Sequence, residues 1–182
     1  VETGVQFLGR QLGTGQVIDF ARDLLGLGMS QARGLRPWAE LANGCEQAAR
    51  ELRLAGAGPL RDVRGIIKLT WHERAGRADF VEALRQLTAR FEAVTEALHD
   101  LLGVAPDFAR MAERAQSLAA LVNVFTEAPD AERVRWIDVG PRELRLIDSP
   151  LDIRELLTEQ RAAGARAWIF TSATLGDDAG LS

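Results

Sequence analysis

The residues best placed to do chemistry are Thr171, Ser172, Ala173 and Thr174, which come after a short apolar run, Ala165 to Phe170. The run has the length and composition of a strand. Its C-terminal end is where an α/β sheet usually meets its ligand. Hydroxyls there can hydrogen-bond to acidic and histidine side chains of a neighbouring nucleotide site, and their loop can move when a phosphate leaves. Such a segment transmits a signal; it does not break a bond by itself.

The other requirements of free-standing catalysis are missing from the sequence. There is no G-x-x-x-x-G-K-[ST] loop: Gly9, Gly13 and Gly15 lack the lysine that meets phosphates, so they read as helix ends. No acidic pair is placed after a strand to hold magnesium. His72 and His99 have no neighbouring ligand residues in sequence, and both read as surface or partly buried side chains. Cys45 is the single cysteine, which excludes an internal disulfide or a four-thiolate cluster. It falls on the apolar side of a predicted helix, so a core thiol is expected.

The elements that must position these residues divide into a helical stretch and a β-containing one. Thr14 suits an N-cap for a helix carrying Val17, Ile18, Ala21, Leu24 and Leu25, with Gly26 as its stop. Pro37 suits the first turn of a second, with Trp38, Leu41, Cys45, Ala48 and Leu52 on one side and a weak point at Asn43-Gly44. Between Leu60 and Gly76 the pattern fits either a strand or a helical turn. Phe80, Leu84, Leu87, Phe91, Val94, Leu98 and Leu101 then form a heptad seam, and Phe108, Met111, Ala115, Leu118, Val122 and Phe125 form another. The short break from Gly103 to Pro106 requires these two helices to run antiparallel, seam to seam, as a long stiff arm.

Composition changes at Ala128-Pro129-Asp130. Strands are expected near 134–139 and 143–147, turned by Gly140-Pro141, then a helix from about Asp152 to Gln160 and a last strand near 165–171. The fold class is therefore mainly α, with a helical domain over 1–130 and an α/β segment over 131–182 rejoined after an insertion.

The 182 residues are 47% hydrophobic and 26% charged, which excludes wholesale disorder, and the net charge of -4 argues against general polyanion coating. Lys68 is the single lysine among 22 basic residues. No apolar run is long enough to cross a bilayer and no signal peptide opens the chain, so a cytoplasmic protein is expected.

Ser149-Pro150-Leu151-Asp152-Ile153, a short helix, and Trp168-Ile169-Phe170-Thr171-Ser172-Ala173-Thr174-Leu175 resemble the stretch leading into motif III of the DinG/YoaA helicases, bacterial relatives of XPD. Trp136-Ile137-Asp138-Val139 is similar to the strand after the family's helical insertion, and Glu2-Thr3-Gly4-Val5 to the residues just downstream of its DEAH box. The YoaA-like branch is the favoured one. The resemblance implies an ATP-dependent helicase moving 5′ to 3′ on single-stranded DNA in repair or replication, and a chain that starts just after the DEAH box and contains the "arch" domain. It assigns Thr171, Ser172, Ala173 and Thr174 to coupling. ATP, magnesium and a 4Fe–4S cluster would be held elsewhere in the parent protein, and this piece alone would be inactive.

Arch residues expected near DNA are Arg85 and Arg90 beside the first seam, Arg110 and Arg114 on the second helix, and Arg133 and Arg135 near the first strand. Arginine suits phosphates and bases alike. Pairing of the helical arginines with Glu82, Glu92, Glu96 and Glu113 on a solvated face is the competing expectation. A replication or repair protein is a further expected partner, and a terminal strand without sheet neighbours invites self-association. The alternatives are a helical adaptor without enzymatic activity, or a whole regulatory protein with a four-helix core and a small β appendage.

Overall fold

The computed structural model describes residues 9–151, which lie within one compact unit. The expected strand near 165–171, the helix at 152–160, and the segments Thr171–Thr174 and Glu2–Val5 lie outside the described residues. The chain runs β1 (Arg10–Gly13), α1 (Thr14–Gln31), α2 (Trp38–Ala57), β2 (Ile67–Thr70), a 3₁₀ turn (Trp71–Glu73), α3 (Ala78–His99), α4 (Pro106–Thr126), β3 (Arg133–Val139) and β4 (Leu144–Pro150). It is mainly α with one small antiparallel sheet, as the sequence pattern predicts.

Both heptad seams are buried over their full length, from Phe80 to Leu101 and from Phe108 to Phe125. The 22 residues of α3 span about 33 Å. The α3–α4 pair is not a free arm, however. α1 packs on α2, α2 on α3, and α4 returns against α1, so the pair forms half of a four-helix unit. Aromatic rings close its centre: Phe20 meets Phe91 edge-on at 5.6 Å, and Trp38 stacks on Phe108 at 6.2 Å. The Trp38 indole also donates to Ala32 O at 2.8 Å, which fixes the turn between α1 and α2. Trp71 joins Phe80 and Phe125, so the start of α3 and the end of α4 meet, as antiparallel packing demands.

The sheet order is β1-β4-β3-β2. Leu12, Leu69 and Ile137 share one face with Leu146 through the registers Leu12↔Leu146, Ile137↔Leu146 and Leu69↔Ile137. Leu12, Ile137, Val139, Leu144 and Leu146 are buried in the same core as the helices. Two of the four strands thus come from the helical stretch of sequence. β1 has no strand-like pattern, and the ambiguous stretch between Leu60 and Gly76 supplies β2 and the 3₁₀ turn.

Two expected helix signals are corrected. Thr14 does not cap α1: Gly13 holds the cap position, and Thr14 Oγ1 instead accepts the Leu144 N–H at 3.1 Å, tying α1 to β4. Gly26 does not stop α1, which continues to Gln31. The reason is packing further along. Gly28 is buried under Trp38, and a Cβ there would overlap the indole. That contact holds the last turn of the helix against α2, and it outweighs the conformational freedom of Gly26.

The two glycines give opposite predictions. Around Gly26 there is open space, so Gly26→Ala should stabilise the protein by up to about 1 kcal/mol. Gly28→Ala should destabilise it by about 1–3 kcal/mol through overpacking. Urea unfolding midpoints measure both, and shifts of the same sign would contradict the packing described.

Candidate nucleic-acid interface

The arginines expected near DNA fall into three settings. Arg85 and Arg90 are exposed on α3. Arg85 is held by Glu82 through Nε at 2.8 Å and Nη2 at 2.6 Å, and these bonds with that of Gln86 keep the Glu82 carboxyl down at about 2. Arg90 lies along α2 at Gly44, where a Cβ would come within 3.1 Å of its Cδ. The helix-weakening glycine is there to make room for it.

Arg110 and Arg114 line one groove of ≈440 Å³ with Gln16, Leu118 and Leu121. Arg110 pairs with Asp107 at 3.3 Å; Arg114 pairs with Asp23 of α1 at 2.9 Å and lies 5.4 Å from the Phe20 ring. Of the four glutamates expected as partners, Glu82 is the one that holds an arginine; Asp107 takes Arg110 and Asp23 takes Arg114, and Arg90 forms no ion pair among the described residues. Arg85 belongs to the first third of α3 and Arg110 to the first turns of α4. Antiparallel packing puts them at opposite ends of the pair.

Arg133 and Arg135 serve the fold. The Asp148 side chain is fully buried in β4. Arg133 Nε donates to its Oδ1 and Arg135 Nε to its Oδ2 at 2.7 Å. Arg135 also donates to Glu127 O at 2.6 Å, where α4 ends, and lies 5.5 Å from the rings of both Trp71 and Phe125. Burial pushes the Asp148 carboxyl up, but the two arginines outweigh it and hold it below its ordinary value.

The remaining candidates are quiet. Cys45 is buried, and burial, partly offset by Arg90, pushes its thiol up to about 11, so it is a neutral core group at neutral pH. His72 and His99 are exposed. Among the described residues no group of three or more His, Cys, Asp or Glu side chains is placed to hold a metal ion. Gly13 and Gly15 crowd against the Glu143 carboxylate, which occupies the start of α1 where an anion would otherwise sit. Along α3 and α4 a groove of ≈740 Å³ carries Glu92, Glu96 and Asp100, a surface that repels phosphates. No helix among the described residues is long and apolar enough to cross a membrane.

Over nearly its whole length this chain is similar to a DNA helicase. The relative is the ATP-dependent DNA helicase YoaA of Haemophilus influenzae, 23% identical over 170 residues, which cover 93% of this chain and 26% of that protein. The chain therefore spans about a quarter of the length of the relative it matches. No family model matches the chain. No solved structure matches it either.

The Arg133–Asp148–Arg135 group predicts a measurable stability effect. Asp148→Asn should cost about 3–5 kcal/mol at neutral pH, because two guanidinium groups lose a buried partner. A folded-state value held low means the contribution is complete above the unfolded value of about 3.9, and fades as pH falls through the folded one. The gap between wild type and variant in urea should therefore narrow on acidification below about pH 4. A gap that stays constant would show that Asp148 acts through shape alone.

Proposed function

We propose that this chain is a helical insert, with the sheet that roots it, of an ATP-dependent DNA helicase working 5′ to 3′ in DNA repair or replication in the cytoplasm. The similarity to YoaA over 93% of the chain is the observation that carries this conclusion. The pairing Arg10↔Asp148 supports it, because a unit that leaves and rejoins its host through two neighbouring strands can be set into a larger domain without disturbing it. The insert guides single-stranded DNA, while Thr171, Ser172, Ala173 and Thr174 couple ATP hydrolysis to DNA handling. ATP, magnesium and the 4Fe–4S cluster belong to other parts of the parent protein, since one cysteine cannot supply four thiolates.

A second possibility is favoured by one feature. Ile66 and Ile67, 58% and 39% exposed, lie at the start of the edge strand β2, a place where a partner protein could add a strand.

The purified chain should bind single-stranded DNA weakly, lose that affinity steeply as salt rises, and turn over no ATP. Fluorescence anisotropy with a labelled oligothymidylate and a coupled ATPase assay measure these properties. ATP hydrolysis by the chain alone would defeat both readings; no DNA binding even at low salt would defeat the insert proposal and leave the adaptor.

A further inference from the structure

Three arginines without an ion pair among the described residues line one groove, two of them in contact with Gly58. Gly58 ends α2 with φ +58° and ψ −120°, a conformation that residues with a Cβ rarely adopt. Its carbonyl accepts a hydrogen bond from Arg61 Nη1, which also donates to Leu60 O at 3.0 Å. The Arg74 guanidinium lies over the open side of the same glycine, so close that any Cβ would overlap it. Arg77 holds the cap position of α3 and offers that helix no side-chain cap. Together Arg61, Arg74 and Arg77 line a groove of ≈830 Å³.

Among the described residues these arginines form no ion pair, although the Glu73 carboxylate, held by Thr70, lies close enough to Arg74 to feel its charge. Arg61 reaches carbonyls only, and Arg74 Nε is covered by protein yet has no hydrogen-bond partner. Three carboxylates share the groove, and none of them forms an ion pair with these arginines; only Glu82 is paired with another guanidinium. Glu82 is taken by Arg85 and Gln86, Glu51 accepts from Gln47 Nε2 at 3.0 Å, and Asp79 turns back to the Phe80 N–H at 2.9 Å. The groove thus presents guanidinium groups whose natural complement is an anion with several oxygens, beside the positive end of the α3 dipole. Leu54, 55% exposed, and Pro59 form an apolar part of the lining, suited to a ligand that alternates charge with flat apolar surface.

We infer that this groove binds the phosphodiester backbone of single-stranded nucleic acid, with Arg61 and Arg77 meeting phosphates and Arg74 held against Gly58 to shape the site. The inference rests on the helicase-insert proposal and moves the DNA contact away from the arginines committed to ion pairs. In the full chain, the Arg61→Gln/Arg77→Gln double variant should bind labelled oligothymidylate about tenfold more weakly. Its slope of log affinity against log salt should be shallower by about 1.4, for two phosphates at about 0.7 each. Arg110→Gln, at a position already paired with Asp107, should leave both quantities unchanged. Arg77→Gln alone, at an exposed position, keeps the test readable if the double variant unfolds.

Wild type and groove variants binding alike would overturn the site while leaving the DNA proposal standing. A companion titration with inorganic phosphate tracks the arginine Nε–H signals by NMR. If phosphate moves those signals but the wild type binds no oligonucleotide, the groove is a small-anion site and both proposals fall. If the oligonucleotide binds and phosphate competes for the same signals, the site is upheld.

Discussion

A carboxylate with no access to water sits between two guanidinium groups, and the attachment of sheet to helices depends on it. Stripping Asp148 of water costs several kcal/mol, which only close and well-aligned partners recover. Arg133 and Arg135 reach it because alternate residues of a strand share a face, and because the register places Arg135 opposite Asp148. A slip of one residue would turn both arginines to the other face and strand the charge. The same Arg135 grips the carbonyl that ends α4 and covers two aromatic rings of the helical core. One polar group therefore selects the pairing of β3 with β4 and fixes their position on the bundle.

The helices are legible in the sequence where burial keeps a regular period. Every seam position from Phe80 to Phe125 is inside, since a heptad of apolar residues leaves no other face to bury. Short-range signals fail where distant contacts decide. Thr14 looks like a cap until Leu144 claims its hydroxyl, and Gly26 looks like a stop until Trp38 anchors the turn beyond it. β1, four residues containing Arg10, Gln11 and Gly13, has no strand pattern of its own; it exists because β4 offers it an edge. Gly44 and Gly56 weaken α2 locally, yet they admit Arg90 and Leu144.

The site is legible by residue type but not by place. Arginine is the side chain that suits a nucleic-acid contact, and spacing alone points to the heptad flanks. Sequence hides which arginines already have a partner. Arg85, Arg110 and Arg114 hold nearby carboxylates, and Arg135 is sealed inside. Arg61, Arg74 and Arg77 lie in and just after the stretch whose hydrophobic pattern has no clear period, and nothing local announces that a glycine with positive φ brings the first two together. A Gly-Pro pair closing a helix, with several arginines beyond it, is the one hint that the residue order gives.

The neighbouring ends of β1 and β4 carry a mechanical consequence. Because the strands are antiparallel, the chain before Arg10 and the chain after Asp148 leave from the same end of the pair. Tension between the flanking segments would therefore load the hydrogen bonds one after another, as in opening a zipper, and not all at once in shear. Such a joint yields to small forces while the bundle behind it stays intact.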